Sequence, residues 1–274
     1  MKQAILKTAI IGAAFLAIGA GSNVYAAAVH DSALFTTNFP GNDDGSVGPV
    51  SLGFNINFFG TTYSNLFVNN NGNVTFNSPD GTFTPSNITG ASQPRLAPFF
   101  ADVDTRNSTD VTYGASTLGG HNVFGVNWID VGYFASQSTP TNSFQLIITD
   151  RSDIAVGDFD FQFNYDRILW ETGSASGGGP GGLGGTSAVA AWTNGAGTFQ
   201  QFAGSLVNGA LLDGGPAATA LIRNSLNSST LGQYNFSVRN GVVINPPNVP
   251  EPASMALLGL GVLGFAAARR RKSA

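Results

Sequence analysis

One stretch of the chain alternates apolar and polar side chains without a break. From residue 158 to residue 165 the odd positions hold Phe159, Phe161, Phe163 and Tyr165, and the even positions hold Asp, Gln or Asn. A period of two is typical of a β-strand with one buried and one exposed face. Because four aromatic rings share one side, that side must be covered by another sheet. The sequence therefore favours packed layers of β-structure.

Shorter runs with the same period occur between turn residues. Residues 50–59 alternate in this way, and residues 66–68 and 74–76 flank a turn in which Gly72 can take a positive φ, which predicts a hairpin. The other predicted strands are residues 99–103, 111–113, 123–131, 144–149, 187–193 and 234–243. Many short strands without alternating helices predict an all-β fold, an antiparallel β-sandwich or barrel-like single domain.

Two segments depart from this pattern. The glycine-rich tract at residues 173–185 is predicted to be a mobile surface loop, and residues 216–227 are predicted to form a short helix. No internal repeat and no charged linker divides the chain. We therefore expect one domain over residues 27–245.

The N-terminal end has the parts of a secretory signal peptide. Lys2 and Lys7 precede an uncharged run at residues 9–20, and small residues at positions −3 and −1 predict cleavage after Ala26, with Ala28 as the alternative. The uncharged run is shorter than the roughly 20 residues that span a bilayer, which disfavours a retained membrane helix. We expect residues 1–26 to be removed, leaving a loose new N-terminus around His30.

The C-terminal end holds a second apolar stretch beside basic residues. Residues 253–268 carry no charge, and as a helix they would cover about 24 Å, marginal for a hydrocarbon core near 30 Å. Transient anchoring in the inner membrane fits this length better than permanent residence. The basic residues at both ends should stay cytoplasmic, which places everything between them on the far side.

The C-terminal residues resemble the PEP-CTERM sorting signal. The motif consists of Val249, Pro250, Glu251 and Pro252, and of Arg269, Arg270 and Arg271 after the apolar stretch. An ordinary tail anchor is the alternative interpretation. The resemblance covers residues 249–272, within a predicted sorting segment with a short transmembrane helix at residues 246–274. It implies export to the cell surface or extracellular matrix, often with exopolysaccharide. It also implies an exosortase as a processing enzyme, beside the signal peptidase.

The net charge of residues 27–249 limits the classes of partner that this part of the chain can bind. The three lysines lie in the two end segments, so this part carries six Arg against fifteen Asp and Glu, or 6 − 15 = −9. Phosphate binding needs clustered Lys or Arg, which argues against nucleic acid as a partner. The chain has no cysteine, which excludes disulfides and cysteine-based zinc or nucleophile chemistry.

The middle of the chain resembles the nidogen extracellular (NIDO) domain. The resemblance lies in GNDDGS at residues 41–46, GFNINFFGTTYSNLFVNNNGNVTF at residues 53–76 and APFFADVDTR at residues 97–106. Further similar segments are residues 126–128, 131–133, 142–146 and 163–165. The family implies a role in cell–matrix adhesion without a known catalytic centre.

Five aspartates form the candidate metal site. They are Asp43, Asp44, Asp102, Asp104 and Asp110. Oxygen-rich acidic groups suit Ca²⁺, the one cofactor that the sequence suggests. The spacing after residue 102 departs from an EF-hand loop, and Arg106 is expected to neutralise carboxylates as an ion pair or fork. The alternative is that these aspartates shape turns by bonding their own backbone.

Catalytic machinery is not apparent, so no catalytic residue is assigned. Only His30 and His121 are bases near neutrality, no Gly-x-Ser-x-Gly elbow is present, and no spacing singles out a glycosidase pair of carboxylates. Four aromatic residues are either core residues or sugar-stacking platforms: Trp128, Tyr133, Trp170 and Trp192. The asparagines of residues 69–73 are interpreted as turn formers.

Together these features predict a non-enzymatic exported protein. We expect an adhesive module that presents acidic loops to extracellular matrix protein or polysaccharide in a biofilm, with calcium as a candidate bridge. The alternatives are a secreted glycan-processing enzyme and a passive structural component of the matrix. A likeness of fold does not by itself decide between them.

Overall fold

The computed structural model describes residues 27–244, and these form two antiparallel sheets packed face to face. The all-β sandwich predicted from the sequence is thereby confirmed. The predicted signal peptide with its cleavage site at Ala26, and the sorting segment with residues 249–252 and 269–271, lie outside the described residues. Within the described part, no helix has the length and apolar character needed to cross a bilayer.

Between residues 27 and 244, fourteen strands make up the two sheets. In chain order they are β1 (Thr37–Phe39), β2 (Ser46–Phe58), β3 (Thr61–Asn69), β4 (Asn73–Thr75), β5 (Arg95–Phe100), β6 (Val103–Asp104), β7 (Val111–Leu118), β8 (His121–Tyr133), β9 (Gln137–Asp150), β10 (Phe159–Arg167), β11 (Val189–Thr193), β12 (Phe199–Gln201), β13 (Gln233–Arg239) and β14 (Val242–Ile244). The larger sheet has the order β1-β7-β8-β9-β10-β13-β14, with β6 also paired to β8. The smaller sheet has the order β12-β11-β5-β4-β3-β2.

Short 3-10 turns are the helical elements of the described residues. They are Ser32–Leu34, Ile88–Gly90, Ser174–Ser176 and Leu221–Arg223. Ser32–Leu34 precedes β1, and the other three lie in connections between strands. Leu221 and Ile222 of the last turn join the side chains of the sheets in the core.

The alternating stretch predicted at residues 158–165 is β10, in the middle of the larger sheet. All four of its odd-numbered aromatic side chains are buried. The ring of Phe159 meets Phe58 of β2 edge-on at 5.8 Å, and the Tyr165 hydroxyl donates to the carbonyl oxygen of Pro98 in β5 at 2.6 Å. The face is therefore covered by the smaller sheet, as the alternation required.

The four aromatic residues that could have been sugar platforms belong to the core. Trp128, Tyr133, Trp170 and Trp192 are at most 5% exposed. Trp128 stacks on Phe144 with ring centroids 5.2 Å apart. The interpretation as core residues is confirmed, and these rings are closed to a ligand.

Residues 216–227 do not form the predicted helix. They contain only the turn Leu221–Arg223. The Asn224 side chain donates to the carbonyl oxygens of Ala217 and Ala220, both at 2.9 Å, and Thr219 Oγ1 donates to that of Ala210 at 2.7 Å. Side chains that occupy local carbonyls in this way compete with the hydrogen bonds of a helix.

Residues 234–243 form two strands where one was predicted. β13 and β14 pair through a turn at Asn240 and Gly241, whose φ angles are 50° and 80°. Two successive positive φ angles are the geometry that Asn-Gly favours in tight hairpins.

The glycine tract folds back on the core. The backbone N–H groups of Glu171 and Thr172 donate to the carbonyl oxygen of Gly182 at 2.8 and 3.0 Å. Gly182 has a φ of 71°, and a Cβ there would lie 2.5 Å from Cβ of Trp170. Glycine is required at this position, because only a residue without a side chain can approach Cβ of Trp170 so closely.

Candidate functional site

Three of the five predicted metal-site aspartates meet where the β1–β2 and β5–β6 connections approach each other. Ligand oxygens of Asp43, Asp44 and Asp102 lie within 4.8 Å of one another. Asp44 is exposed, Asp43 is half-buried, and Asp102 is 1% exposed. We call these three residues the acidic group.

Two buried asparagines of the β3–β4 turn hold the acidic group together. Asn70 Nδ2 donates to the carbonyl oxygens of Asp43 at 2.5 Å and Val103 at 2.6 Å. Asn71 Nδ2 donates to Asp44 Oδ1 at 2.8 Å, and Asn71 Oδ1 accepts from the Val103 N–H at 2.8 Å. Each amide thus joins the loop before β2 to the segment around β6, which fixes the acidic loops against each other.

These asparagines were interpreted from the sequence only as turn formers. They are fully buried and bond to residues distant in sequence. The available signal was four asparagines in five positions directly after a strand, more amide groups than one turn uses.

The acidic group is electrostatically strained. The pKa of Asp102 is raised to about 7, mainly by burial and also by the charges of Asp43 and Asp44, against hydrogen bonds from Ser176 that lower it. Burial also raises the pKa of Asp43 to about 6, together with the charges of Asp104 and Asp44 and against the lowering effect of Arg106. Such carboxylates are stabilised by taking up protons or a cation.

Asp104 and Asp110 are not members of the acidic group, although Arg106 contacts both Asp104 and Asp43. Arg106 Nε donates to Asp104 Oδ1 at 2.9 Å, and the Ser136 N–H donates to Asp104 Oδ2 at 2.7 Å. Burial raises the pKa of Asp104, but the hydrogen bonds from Arg106 and Ser136 outweigh it and leave the pKa lowered. Asp110 accepts from Asn38 Nδ2 at 2.8 Å. Arg106 therefore forks one carboxylate, as the sequence suggested.

The residues of the acidic group fit a hard divalent cation. Their three carboxylates supply up to six oxygens, and Ca²⁺ takes six to eight oxygen ligands in flexible geometry. Arg106 approaches Asp43 Oδ2 at 3.2 Å, whereas Asp43 Oδ1 has no hydrogen-bond partner. An all-oxygen donor set of this kind suits calcium, and the side chains of Asp43, Asp44 and Asp102 would hold the ion.

A polar cleft of about 290 Å³ adjoins the acidic group. The polar residues that line it are Asp80, Thr82, Ser86, Asn87, Ser92, Gln93 and Arg95. Asp80 and Arg95 form an ion pair, and the guanidinium lies over the ring of Phe100 at 5.0 Å. The Thr82 carbonyl oxygen accepts from Asn71 Nδ2 at 3.3 Å, the same amide that bonds Asp44. The Asn71 side chain therefore holds both the cleft and the acidic group in place.

The two histidines belong to neither feature. His121 begins β8, and its Nδ1 lies 3.9 Å from Asp153 Oδ1. The His30 N–H donates to Gln145 Oε1 at 3.0 Å. Neither residue contributes to the acidic group or lines the cleft.

Comparison with known proteins assigns the family. The model of the family described as NIDO related matches residues 17–202, and that of the PEP-CTERM protein-sorting motif matches residues 248–272. The chain is 32% identical to alpha-tectorin of Mus musculus and of Homo sapiens over 238 residues, 77% of this chain and 10% of each relative. It is 33% identical to alpha-tectorin of Gallus gallus over 243 residues, 78% of this chain and 11% of that protein.

The chain thus spans about a tenth of the length of these relatives. No solved structure matches it. The sorting motif marks an exported protein that is processed by an exosortase. The chain belongs to the NIDO-related family and ends in a PEP-CTERM protein-sorting motif.

Proposed function

We propose that this protein mediates cell–matrix adhesion at the cell surface or in the exopolysaccharide matrix of a biofilm. The observation that carries the proposal is the acidic group, because two buried amides hold it in place from a third loop. Aspartates that only shape turns bond their own neighbouring backbone and need no such support. The fold holds the carboxylates of the acidic group close together, and a cation bound there would link the protein to its ligand.

Calcium is the cation that we assign to the acidic group. The ligands are all oxygens, and calcium-binding extracellular modules commonly use weak sites of this kind. A bound ion would neutralise charge on a protein segment that carries −9 overall. We propose that this ion joins the acidic loops to the ligand.

A matrix polysaccharide is the ligand that the adjoining cleft favours. Hydroxyl, amide and paired charged side chains line it, and these are the groups that hydrogen-bond sugar hydroxyls. Its size of about 290 Å³ suits a small part of a polymer. Five of the six arginines between residues 27 and 244 are paired with aspartates, which leaves little free positive charge for a polyanion.

A glycan-processing enzyme remains the second candidate, favoured by one observation. A carboxyl with a pKa near 7 beside a second carboxylate is what a glycosidase uses as its general acid. Asp102 is 1% exposed, however, so its carboxyl is closed to a glycosidic oxygen, while a small ion would be held by the outer oxygens of Asp43 and Asp44. Within the cleft, Asp80 is the single carboxylate among the described lining residues, and Arg95 pairs with it.

The test is binding of the purified mature protein to immobilised matrix polysaccharide, measured with calcium and with chelator. We expect binding in calcium, loss of binding in chelator, and no release of reducing ends over the same period. Asp102→Asn should bind weakly in both conditions. Asp110→Asn is the matched control, since Asp110 lies in the same region but bonds only Asn38, and it should behave as the wild type.

Each alternative has its own outcome. Release of reducing ends that Asp102→Asn abolishes would replace the adhesion proposal by the enzyme. Binding of the wild type that is as strong in chelator as in calcium would remove the cation from the proposal. Binding to matrix protein but not to polysaccharide would reassign the ligand.

A further inference from the structure

The segment that follows the predicted signal-peptide cleavage site is docked onto the domain. The backbone N–H groups of Ala28 and Val29 both donate to Asp166 Oδ1, at 2.7 and 2.9 Å. The next residue, His30, exchanges two bonds with the Gln145 side chain, at 3.0 and 3.1 Å. The prediction of a loose N-terminus around His30 is therefore wrong.

A β-bulge places Asp166 at this position. Tyr165 pairs with Phe144 and Arg167 pairs with Ser143, so Asp166 is an extra residue between β10 and β9. A bulge redirects the side chain of the inserted residue and unpairs its backbone from the ladder. The carboxylate is thus directed toward the chain that arrives at Ala28.

The side chain of Ala28 is buried against the domain. This residue is 3% exposed and lies against Gly232, where a Cβ would stand 3.1 Å from the alanine Cβ. Gly232 has a φ of 84°, and its carbonyl oxygen accepts from the Tyr165 N–H. A small residue at position 28 and a glycine at position 232 fit each other, so the segment has one defined position.

We propose that Asp166 is the binding site for the α-ammonium group created when the signal peptide is cut after Ala26. Signal peptidase adds water across the amide bond between Ala26 and Ala27. The new carboxylate belongs to Ala26 and leaves with the signal peptide. The Ala27 nitrogen becomes the N-terminal amine of the mature chain and takes up a proton. The inference rests on this cleavage and not on the adhesive function.

The distances allow the contact. Standard bond lengths put successive backbone nitrogens at most about 3.7 Å apart, so the Ala27 nitrogen lies within about 6.4 Å of Asp166 Oδ1. That is shorter than the Debye length of about 8 Å at physiological ionic strength, so the attraction is not screened away.

The other charged or titratable groups around this position are His30, Asp31, Arg167 and Asp213. Arg167 is paired with Asp130, and Asp213 accepts from the Ile168 N–H. Among these carboxylates, Asp166 is therefore the one that accepts hydrogen bonds from the N-terminal segment, at Ala28 and Val29. In the precursor the Ala27 nitrogen is an uncharged amide, so the charge pair exists only after cleavage.

Residues 27–249 contain no lysine, so an amine reagent can be directed to the N-terminal amine. From Ala27 to the C-terminus, Lys272 is the only side-chain amine. Mild acetylation of the mature protein near neutral pH therefore modifies the N-terminal amine first, and peptide mapping verifies it. The chain should be isolated from its export compartment, where mass spectrometry should find Ala27 as the first residue.

The decisive measurement combines acetylation with Asp166→Asn, which keeps an oxygen to accept both N–H bonds. Acetylation should lower the Tm of the wild type by about 2–4 °C, the change of a single charged contact in a chain of this size, and that of Asp166→Asn by less than half as much. Asp31→Asn is the control, since this neighbouring aspartate caps its own turn at Ala33 and should leave the acetylation effect unchanged.

The pKa of the α-amine gives a readout that a purely structural role of Asp166 would not move. An opposite charge favours the charged form, so the pKa should exceed the usual value of about 8 and should fall in Asp166→Asn. It is measured from the pH dependence of the labelling rate. Equal acetylation effects in both proteins, an unchanged pKa, or a mature chain beginning elsewhere would overturn the proposal.

Discussion

Replacing Asp102 by Asn should stabilise the domain in the absence of calcium. Burial raises the pKa of Asp102 to about 7, whereas an aspartate in the unfolded chain has a pKa of about 3.9. As the pH rises from about 4 to about 7, the unfolded chain loses this proton while the folded chain keeps it. Stability therefore falls through that window and stays low above it.

The size of the effect follows from the pKa difference. About three pKa units at about 1.36 kcal/mol each give about 4 kcal/mol as an upper limit. Asp43 shares the same repulsion and Asp44 is open to solvent, so we take about half, or 2 kcal/mol, after screening. In a chain of this length that corresponds to a rise in Tm of about 4–8 °C at pH 8.

Calcium should reverse the order of the two proteins. A ligand at about 100 times its Kd stabilises the folded state by about 2.7 kcal/mol, so the wild type should gain in Tm, while Asp102→Asn should not. Scanning calorimetry at pH 8, in chelator and in a calcium series up to about 100 mM, which is about 100 times a Kd of about 1 mM, measures both effects. Asp110→Asn should match the wild type in both. A lower Tm for Asp102→Asn in chelator, or a calcium response equal to that of the wild type, would refute the reasoning.

Three further substitutions test the supports of the site and the core. Gly72→Ala places a Cβ 1.8 Å from the Phe99 carbonyl oxygen at a φ of 73°, so it should cost about 3 kcal/mol or more in urea unfolding, and a cost below 1 kcal/mol would contradict the local geometry. Asn71→Ala removes the amide that holds Asp44, so it should cost about 1–3 kcal/mol and abolish the calcium-induced rise in Tm; a retained rise would show that the amide does not position the group. Trp170→Ala should cost about 3–5 kcal/mol by chemical denaturation, because the indole is fully buried against the Phe99 ring, and a near-neutral result would mean that the core is not packed as described.

The sequence predicted those parts of the fold that depend on neighbouring residues. The alternation in β10 and the β3–β4 hairpin are local patterns, and both are confirmed. The turn at Asn240 and Gly241 is also a local signal for a hairpin, although a single strand was predicted there. The pattern of β10 required a covering layer but could not identify which strands provide it.

The parts that sequence reasoning missed depend on contacts between distant residues. The division of five aspartates into an acidic group and two separately bonded residues results from Arg106 and Asn38 reaching Asp104 and Asp110. The role of Asn71 depends on loops that approach only after the sheets pack. No rule based on spacing along the chain contains this information.

Attachment of living cells under flow tests the adhesive function most directly. A strain that lacks the gene should be complemented with the wild type, Asp102→Asn or Asp110→Asn, with equal surface amounts verified by antibody. We expect the wild type and Asp110→Asn to restore resistance to shear in calcium, and Asp102→Asn to resemble the deletion strain. Unchanged attachment strength in the deletion strain itself would contradict adhesion and indicate a passive component of the matrix.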